Sequence, residues 1–369
     1  MKKEELTAVI FNIMLLFSSC SDNVISADKY MVLDDVEYVS TFPETITLSN
    51  RIDPEIDVIG INDFCVLDSM IAFSTKSRDS LWTFISLPGY TPLGSFLTSG
   101  DGPFEFIQPP RVSFKTNFYR ENGQLFAGIY DFQKGKLLKM NVNASLDSNA
   151  LQISMLKDSL PSFLFSFIMI DSVRYFCKEV NNEQTQQIRY IREGNKQTIP
   201  SVMQQLNQVQ VNVNEDINII SAITKMNAEN AMIVEMPIGL NYINMYSLDG
   251  SFGKTICIGD ELDDIKDIED KVRWDRIYTY ADLRLFEDLW GVVSINEDMK
   301  TYQTGRKKLP SILLFNWDGK PLAELKLTHF ITSFDIDFAA GDLYTFDVHT
   351  DEFFKYDISN ILMKLKDFQ

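Results

Sequence analysis

The sequence contains few of the residues that bind transition metals or build disulfide networks. Its 369 residues include two histidines, His329 and His349, and four cysteines without a Cys-x-x-Cys pair, which argues against a zinc site. Cys65, Cys177 and Cys257 can form at most one disulfide, and we interpret all three as buried apolar residues. We therefore expect no cofactor, with bound calcium as the alternative.

Positive charge is also scarce in this sequence. Lys and Arg together number 34 against 52 Asp and Glu, so the formal net charge is −18. An acidic surface repels nucleic acid and anionic lipid headgroups, which excludes nonspecific binding to either. We interpret the charge as a means of solubility, and a site for calcium or for a cationic ligand is the alternative.

Apolar runs long enough to cross a membrane are missing. Lys2 and Lys3 precede a mostly apolar run, Leu6 to Phe17, that is too short to span a hydrocarbon core of ~30 Å as a helix. The small residues Ser18 and Ser19 follow, and this order is typical of a signal peptide. The run therefore indicates a signal peptide, and the next residue, Cys20, is a candidate for lipidation. The alternatives are an ordinary cleaved signal peptide without lipidation or a buried first helix.

That next residue is a cysteine, and Phe17-Ser18-Ser19-Cys20 resembles a bacterial lipobox. In such signals the cysteine becomes the lipidated first residue of the mature protein. We predict a lipoprotein signal peptide over residues 1–19, lipidation of Cys20, and a tether and lead-in over residues 20–44. The remaining residues, 45–369, are predicted to form one domain.

That domain is built from a repeat of about 55 residues. A polar or Gly turn followed by a short apolar strand recurs six times, and the residues just before these strands are 69, 124, 172, 230, 288 and 342. Further strands follow in each unit, and Asp-Gly pairs such as Asp249-Gly250 and Asp318-Gly319 indicate hairpins. Six units of four antiparallel strands predict an all-β fold, a six-bladed β-propeller.

Two segments depart from the regular repeat, and three others lie before or after the six units. Asp260 to Asp270 is acidic and is predicted to be a solvated loop or short helix, with a cation site as the alternative. Met299 to Pro310 is predicted to be an extended surface loop with a basic tip. Thr45 to Leu48 and Glu55 to Ile59 are predicted to supply a strand to the last blade and close the ring. Ile358 to Phe368 has a short helical period.

One run after the last strand of the first unit is distinctive: Gly100-Asp101-Gly102-Pro103-Phe104-Glu105-Phe106. The glycines permit close backbone approach, and Pro103 fixes φ and favours extended geometry at Gly102. Glu105 is placed to accept hydrogen bonds from N–H groups of the loop. We interpret the run as a blade connector held by Glu105, and the rim of a ligand pocket is the alternative.

This run resembles the Gly-x-Gly-Pro-Gly-Glu-Phe signature of TolB-like six-bladed propeller lipoproteins of Bacteroidetes. It differs at Asp101, where a basic residue is frequent, and at Phe104, which replaces a glycine. The resemblance extends over the lipobox, the tether, the six units and this loop. It implies a noncatalytic protein of the cell envelope, anchored by lipid in the outer membrane on its periplasmic or surface face. Its ligand would be a small molecule, a glycan or a protein.

Two other functions remain open from the sequence. A calcium-dependent, lactonase-like propeller hydrolase would use channel carboxylates and a histidine base; the acidic candidates are Asp131, Asp171, Asp335, Asp337 and Asp347. No Gly-x-Ser-x-Gly motif occurs, and we favour a protein that is not an enzyme. A sugar-binding accessory of polysaccharide uptake would stack sugar rings on tryptophans; these are Trp82, Trp274, Trp290 and Trp317.

Overall fold

The computed structural model describes residues 29–183, 185–212 and 215–366. The predicted signal peptide and Cys20 lie outside these residues. Over the described ranges, no helix combines the length and apolar character needed to cross a membrane.

Two short strands precede the repeated units. They are β1 (Val36–Val39) and β2 (Glu44–Leu48). Six β-sheets then follow one another along the chain and form the predicted six-bladed propeller.

Blades 1 to 3 are antiparallel sheets of four consecutive strands. Blade 1 consists of β3 (Ile61–Leu67), β4 (Met70–Thr75), β5 (Trp82–Ser86) and β6 (Pro92–Phe96). Blade 2 consists of β7 (Thr116–Glu121), β8 (Gln124–Asp131), β9 (Lys136–Asn141), the helix α1 (Val142–Ser148) and β10 (Ile153–Lys157). Blade 3 consists of β11 (Ser166–Met169), β12 (Arg174–Asn181), β13 (Gln186–Glu193) and β14 (Lys196–Thr198).

Blades 4 to 6 follow after the helix α2 (Ser201–Asn207) and a 3₁₀ turn, Ile217–Ile220. Blade 4 consists of β15 (Ala222–Asn227), β16 (Met232–Pro237), β17 (Tyr242–Ser247) and β18 (Gly253–Ile258). The helix α3 (Ile265–Glu269) and the 3₁₀ turn Arg273–Asp275 follow blade 4. Blade 5 then consists of β19 (Ile277–Leu285), β20 (Leu289–Asp298), the helix α4 (Met299–Thr304), β21 (Ser311–Asn316) and β22 (Pro321–Leu327). Blade 6 consists of β23 (Ser333–Asp337), β24 (Asp342–Asp347) and β25 (Glu352–Asp357), and α5 (Ser359–Lys366) follows it.

The predicted repeat matches the blades. Each of the six turn positions lies in or beside the hairpin between the first and second strand of a blade. The first strands of neighbouring blades contact one another at every junction from blade 2 through blade 6 to blade 1, so they surround the axis of the ring. The hydrophobic core is divided into clusters between neighbouring blades, because each blade buries its two faces against the next.

The prediction of a strand donated to the last blade is wrong. The strand β2 pairs in parallel with β22 of blade 5, and β1 pairs in parallel with β18 of blade 4. Over the described residues, blade 6 has three strands and is extended by a bridge between Ile52 and Lys355. The reason is packing, since Ile46 and Leu48 of β2 lie against the core between blades 5 and 6.

The two segments that depart from the regular repeat each contain a short helix. The acidic connection contains α3, whose N-cap Asp264 accepts the N–H of Lys266, in agreement with the short-helix prediction. The segment predicted to be an extended surface loop instead begins with α4, which corrects that prediction. Asp298 caps α4 by accepting the N–H of Thr301 at 2.8 Å, and the buried Tyr302 anchors the helix.

Candidate functional site

A cavity of about 490 Å³ lies where the inner strands meet, and we name it the axial cavity. Residues of β3, β15, β19 and β23 line it, together with residues of α4 and the segment 111–114 between blades 1 and 2. The inner strands of blades 1, 4, 5 and 6 therefore contribute side chains to one concave site. Small-molecule sites have volumes in this range, about 300–1,000 Å³.

One buried arginine connects three blades beside the axial cavity. Arg284 of β19 donates from Nε to Oδ2 of Asp282 at 2.7 Å. Its terminal nitrogens lie 3.4 Å from Oδ1 of Asp63 in blade 1 and 3.4 Å from Oδ2 of Asp335 in blade 6. All four side chains are buried. The planar guanidinium, with its several donors, suits this position between carboxylates.

The same three carboxylates also hold backbone N–H groups of neighbouring segments. The bonds run from Ser113 to Asp63 at 2.8 Å, from Phe334 to Asp282 at 3.3 Å and from Val66 to Asp335 at 2.9 Å. Each bond joins one inner strand to the next blade or to the connection leading there. We conclude that these carboxylates fasten the ring. Within the described ranges, no group of three or more His, Cys, Asp or Glu could hold a metal ion.

Lys225 of β15 differs from these charged neighbours. Its side chain lines the axial cavity, and among the described residues no acceptor lies within hydrogen-bond or salt-bridge distance of its amine. Burial, and then the Arg284 guanidinium, lower the pKa of Lys225 to about 8. The charges of Asp282, Asp63 and Asp335 oppose this shift only in part. An amine with such a pKa is cationic at neutral pH and has no partner from the described chain.

Polar and aromatic groups complete the lining. Arg111 and Arg273 are exposed and lie along the cavity wall with Lys225. Tyr278 and Tyr302 pack with ring centroids 4.6 Å apart, and the Tyr302 hydroxyl lies 3.4 Å from Nε2 of His349. Because α4 carries Tyr302, the segment predicted to be a surface loop forms part of the site instead.

The loop of residues 100–106 is a connector with a specific internal structure. Glu105 accepts the N–H of Gly102 at 2.9 Å, which is the type of bond that the sequence predicted. A Cβ on Gly100 would lie 2.1 Å from Oε2 of Glu105, so the glycine leaves room for the carboxylate. Phe106 is buried and Phe104 is exposed. No residue of 100–106 lines the axial cavity in the described structure.

A lysine that the sequence did not single out fastens this loop to blade 2. Lys134, in the hairpin between β8 and β9, donates from Nζ to the carbonyl oxygens of Gly102 at 2.9 Å and Glu105 at 2.7 Å. Its own hairpin is held by Asp131, which accepts the N–H groups of Gln133 and Lys134. The loop therefore connects blade 1 to blade 2 through both its chain and its carbonyl groups.

The structure distributes the other acidic and histidine candidates over several places. Asp335 alone belongs to the Arg284 cluster, whereas Asp131, Asp171 and Asp337 each accept backbone N–H groups in turns. His349 lines the axial cavity, and Asp347, two residues before it, is paired with Arg306. His329 is buried at 2.9 Å from the Tyr356 hydroxyl, and burial followed by the charge of Arg51 lowers its pKa.

The tryptophans and cysteines are mainly core residues. Trp82 and Trp290 are buried and donate to backbone carbonyl groups, and Trp290 stacks on Phe315 at 4.4 Å. Trp317 donates to the carbonyl of Glu287, whereas Trp274 is 55% exposed. Cys65, Cys177 and Cys257 are buried free thiols, which confirms their interpretation as apolar core residues.

Sequence reasoning missed Lys225, Arg284 and two of their carboxylate neighbours. One signal was available, because Asp63, Lys225, Asp282 and Arg284 all interrupt strands that are otherwise largely apolar and that begin a repeat unit. First strands of propeller blades face the axis, so charges in those strands meet there.

Comparisons with known proteins complete the description. No model of a protein family matches the chain, and no curated protein matches it in sequence. Among solved structures, a member of the DUF4221 family from Bacteroides vulgatus superposes with a TM-score of 0.48 at 9% identity, covering 80% of this chain and 94% of that one. A Bacteroides fragilis protein named as exported gives 0.43 at 10% identity, with 84% and 87% covered. A luciferin-regenerating enzyme gives 0.43 at 9% identity, with 83% and 93% covered.

Proposed function

We propose that this chain is a noncatalytic envelope lipoprotein of the TolB-like propeller kind. In this proposal a lipid on Cys20 anchors the protein in the outer membrane, and the propeller binds a ligand or partner at the axial cavity and the face around it. The lipobox-like run before Cys20 and the loop of residues 100–106 support the proposed kind of protein. The axial cavity supports the binding role, since it combines Lys225, a cation without a partner among the described residues, with aromatic and hydroxyl groups.

A noncatalytic role agrees with the bonding of the cavity carboxylates. Asp63 and Asp282 each accept a backbone N–H group and share the charge of Arg284, so neither is placed as a general base. His349 is the histidine of the cavity lining, and its ring lies beside Tyr302, with Nε2 3.4 Å from the Tyr302 hydroxyl. Bound calcium and hydrolysis remain a competing proposal that the ligand screen below addresses.

Lipid anchoring is tested by metabolic labelling with an alkyne fatty acid in a Bacteroidetes host, followed by membrane fractionation. The wild-type chain is expected to carry the label and to sediment with the outer membrane. Cys20→Ala is expected to lose both properties, because the lipid acceptor is gone. Equal labelling of the two chains, or an unlabelled wild-type protein, would refute the lipoprotein assignment.

Binding is tested by a thermal-shift screen of the chain from residue 21, which keeps every described residue. A ligand that binds only the folded state raises the melting temperature by mass action. The screen includes calcium, a chelator and a set of glycans and small metabolites. A calcium shift together with hydrolysis of a lactone would overturn the noncatalytic assignment. A complete lack of shifts, followed by capture of one envelope protein on the immobilised propeller, would place the ligand among proteins.

A further inference from the structure

The lining of the axial cavity has a charge that contrasts with the rest of the chain. The protein as a whole is acidic, with a formal net charge of −18. The cavity lining nevertheless contains three cations, Arg111, Lys225 and Arg273, and only two carboxylates, Asp63 and Asp282. Cations are thus collected at the axis of a molecule whose surface is predominantly anionic.

The two carboxylates of the lining act on Lys225 through their charge, but neither forms a hydrogen bond or an ion pair with it in the described structure. Asp282 accepts Nε of Arg284 at 2.7 Å and the N–H of Leu283 at 2.9 Å. Asp63 accepts the N–H of Ser113 at 2.8 Å and lies 3.4 Å from Arg284. Both oxygens of each carboxylate therefore have a partner within the protein. The amine of Lys225 has no acceptor among the described residues, although partly buried ammonium groups ordinarily have one.

The three cations also lie at different depths. Arg111 and Arg273 are exposed, whereas Lys225 is partly buried in an inner strand. Exposed cations around a cleft attract anions from solution, and a less solvated cation further inside binds the captured charge more strongly. Burial lowers the pKa of Lys225 to about 8, and an anion placed beside the amine would offset that cost.

The rest of the lining indicates an organic body rather than an inorganic ion. Phe114, Phe165 and Tyr278 provide flat apolar surfaces, and Gln303 and Ser333 provide an amide and a hydroxyl. The cavity of about 490 Å³ is of a size that holds a small metabolite or a sugar unit. Aromatic surface with a few polar groups is typical of sites that bind such molecules.

We propose that the axial cavity binds a small organic anion, whose carboxylate or phosphate group is held by Lys225 with Arg111 and Arg273 at the entrance. This proposal rests on the ligand-binding function proposed above and names the chemical class of the ligand. It requires no chemical step, since Lys225 acts only as a cationic hydrogen-bond donor.

The test is calorimetric titration of the chain from residue 21 with matched pairs of sugars. The probes are glucuronate and glucose 6-phosphate, each against glucose, and galacturonate against galactose, with citrate as a sugar-free anion. At least one anion is expected to bind about tenfold or more tightly than its partner, and added salt is expected to weaken the binding. The carboxylate and phosphate arms distinguish the two kinds of anionic group.

Variants locate the binding at the cavity. Lys225→Met is expected to weaken anion binding about tenfold or more, and Lys225→Arg is expected to keep part of it. Lys326→Met, at an exposed side chain of β22, is the matched control and should bind as wild type. Lys225→Met is expected to fold and to melt no lower than wild type, because it removes a poorly solvated charge without a partner.

Three outcomes would overturn the proposal. The first is equal affinity for acids and their neutral partners, and the second is anion binding that Lys225→Met leaves unchanged. The third is the absence of heat with every anion at millimolar concentration. None of these outcomes affects the labelling of Cys20 or binding of a neutral glycan, so the envelope function proposed above can stand when the anion proposal fails.

Discussion

Glu105 lies so close to Gly100 and Gly102 that neither residue has space for a side chain. A Cβ on Gly100 would lie 2.1 Å from Oε2 of Glu105, and one on Gly102 would lie 2.9 Å from the same atom. We predict that Gly100→Ala lowers the free energy of unfolding by about 1–3 kcal/mol, since the carboxylate or the loop must move. Urea unfolding of the purified domain measures this change.

The cause of that loss is identified by a double variant. Glu105→Ala alone loses the hydrogen bond from Gly102, while Gly100→Ala with Glu105→Ala also removes the clash. The double variant should therefore be less destabilised than the sum of the two single changes. Gly89→Ala is the control, because its Cβ would approach only Ser86 Oγ, at 3.9 Å. Additive losses at residues 100 and 105 would show that the loop does not depend on this contact.

A second buried ionic group lies between blades 3 and 4. Glu235 of β16 accepts Nε of Arg189 at 2.8 Å and the Tyr246 hydroxyl at 2.6 Å, and Lys178 lies 3.3 Å away. The charged side chains of this group are fully buried. Burial by itself would raise the pKa of Glu235, but Arg189 and Lys178 outweigh it and lower the pKa to about 2.

We predict that Glu235→Gln destabilises the domain by about 3–5 kcal/mol, because it leaves buried cations without their anion. The pH dependence has a definite sign. The pKa of Glu235 is lowered from 4.5 to about 2 on folding, so its stabilisation is present above pH 4.5 and is lost as pH falls towards 2. Unfolding measured between these values should show a smaller slope for Glu235→Gln. An equal slope in both proteins would assign the acid sensitivity to other carboxylates.

At the scale of elements, the segment before the first blade behaves as part of the fold. Met31, Val32 and Leu33 are buried, and the Leu33 N–H donates to Thr255 Oγ1 at 2.8 Å. The strand β1 then extends blade 4 in parallel. Within the lead-in predicted over residues 20–44, residues 31–39 are therefore packed against blade 4.

Truncation tests the contribution of this lead-in. We compare a chain that begins at residue 29 with one that begins at residue 41, which lacks β1 and the three buried residues before it. The shorter chain should lose about 5 kcal/mol or more of unfolding free energy, because each buried apolar side chain contributes about 1.5–3 kcal/mol. Equal denaturation midpoints for the two chains would show that the segment is dispensable.

The elements that the sequence predicted are those set by local patterns. Turn residues followed by apolar strands identified the first hairpin of all six blades, since Gly and polar residues define turns within a few positions. The strand β1 pairs in parallel with β18, and β2 pairs in parallel with β22. Each pairing joins residues more than 200 positions apart, and no local signal specifies it. At α4 a signal existed, because Asp298 three residues before Thr301 is a capping pattern, but the basic tip suggested a loop.

The site was less accessible to sequence reasoning than the fold, for a similar reason. Glu105 and the glycines are neighbours in the chain, so their contact could be inferred from spacing. Arg284 and Asp63 are 221 positions apart and meet only because the ring closes. The partnerless state of Lys225 depends on where the carboxylates of three other strands point, which a sequence does not contain.

At the scale of the whole molecule, the ring closes mainly through packing and the axial cluster. Between blades 6 and 1, Phe64 meets Phe353 edge to face at 4.9 Å, and Asp335 accepts the N–H of Val66 at 2.9 Å. A full shared strand is replaced by the bridge between Ile52 and Lys355. The closure therefore relies on this packing between blades 6 and 1 and on the axial cluster, in which Arg284 lies between Asp63 of blade 1 and Asp335 of blade 6.

We predict that Arg284→Met destabilises the whole domain by about 3–5 kcal/mol, since it leaves three buried carboxylates without their cation. Arg120→Met is the matched control. Arg120 is exposed and paired with the equally exposed Asp68, so its loss should cost about 1 kcal/mol or less. Because Arg284 binds blades 1, 5 and 6 together, its removal should lower stability without dividing the ring into independent parts.

Cooperativity distinguishes this account from one in which blades unfold separately. Tryptophan fluorescence reports on blades 1 and 5, where Trp82 and Trp290 are buried, while far-ultraviolet circular dichroism reports on all strands. Coincident denaturant transitions are expected for wild type and for Arg284→Met, because each blade needs its neighbours to bury both faces. If the two probes separate only in Arg284→Met, then the axial cluster, and not the packing between blades, makes the ring a single cooperative unit.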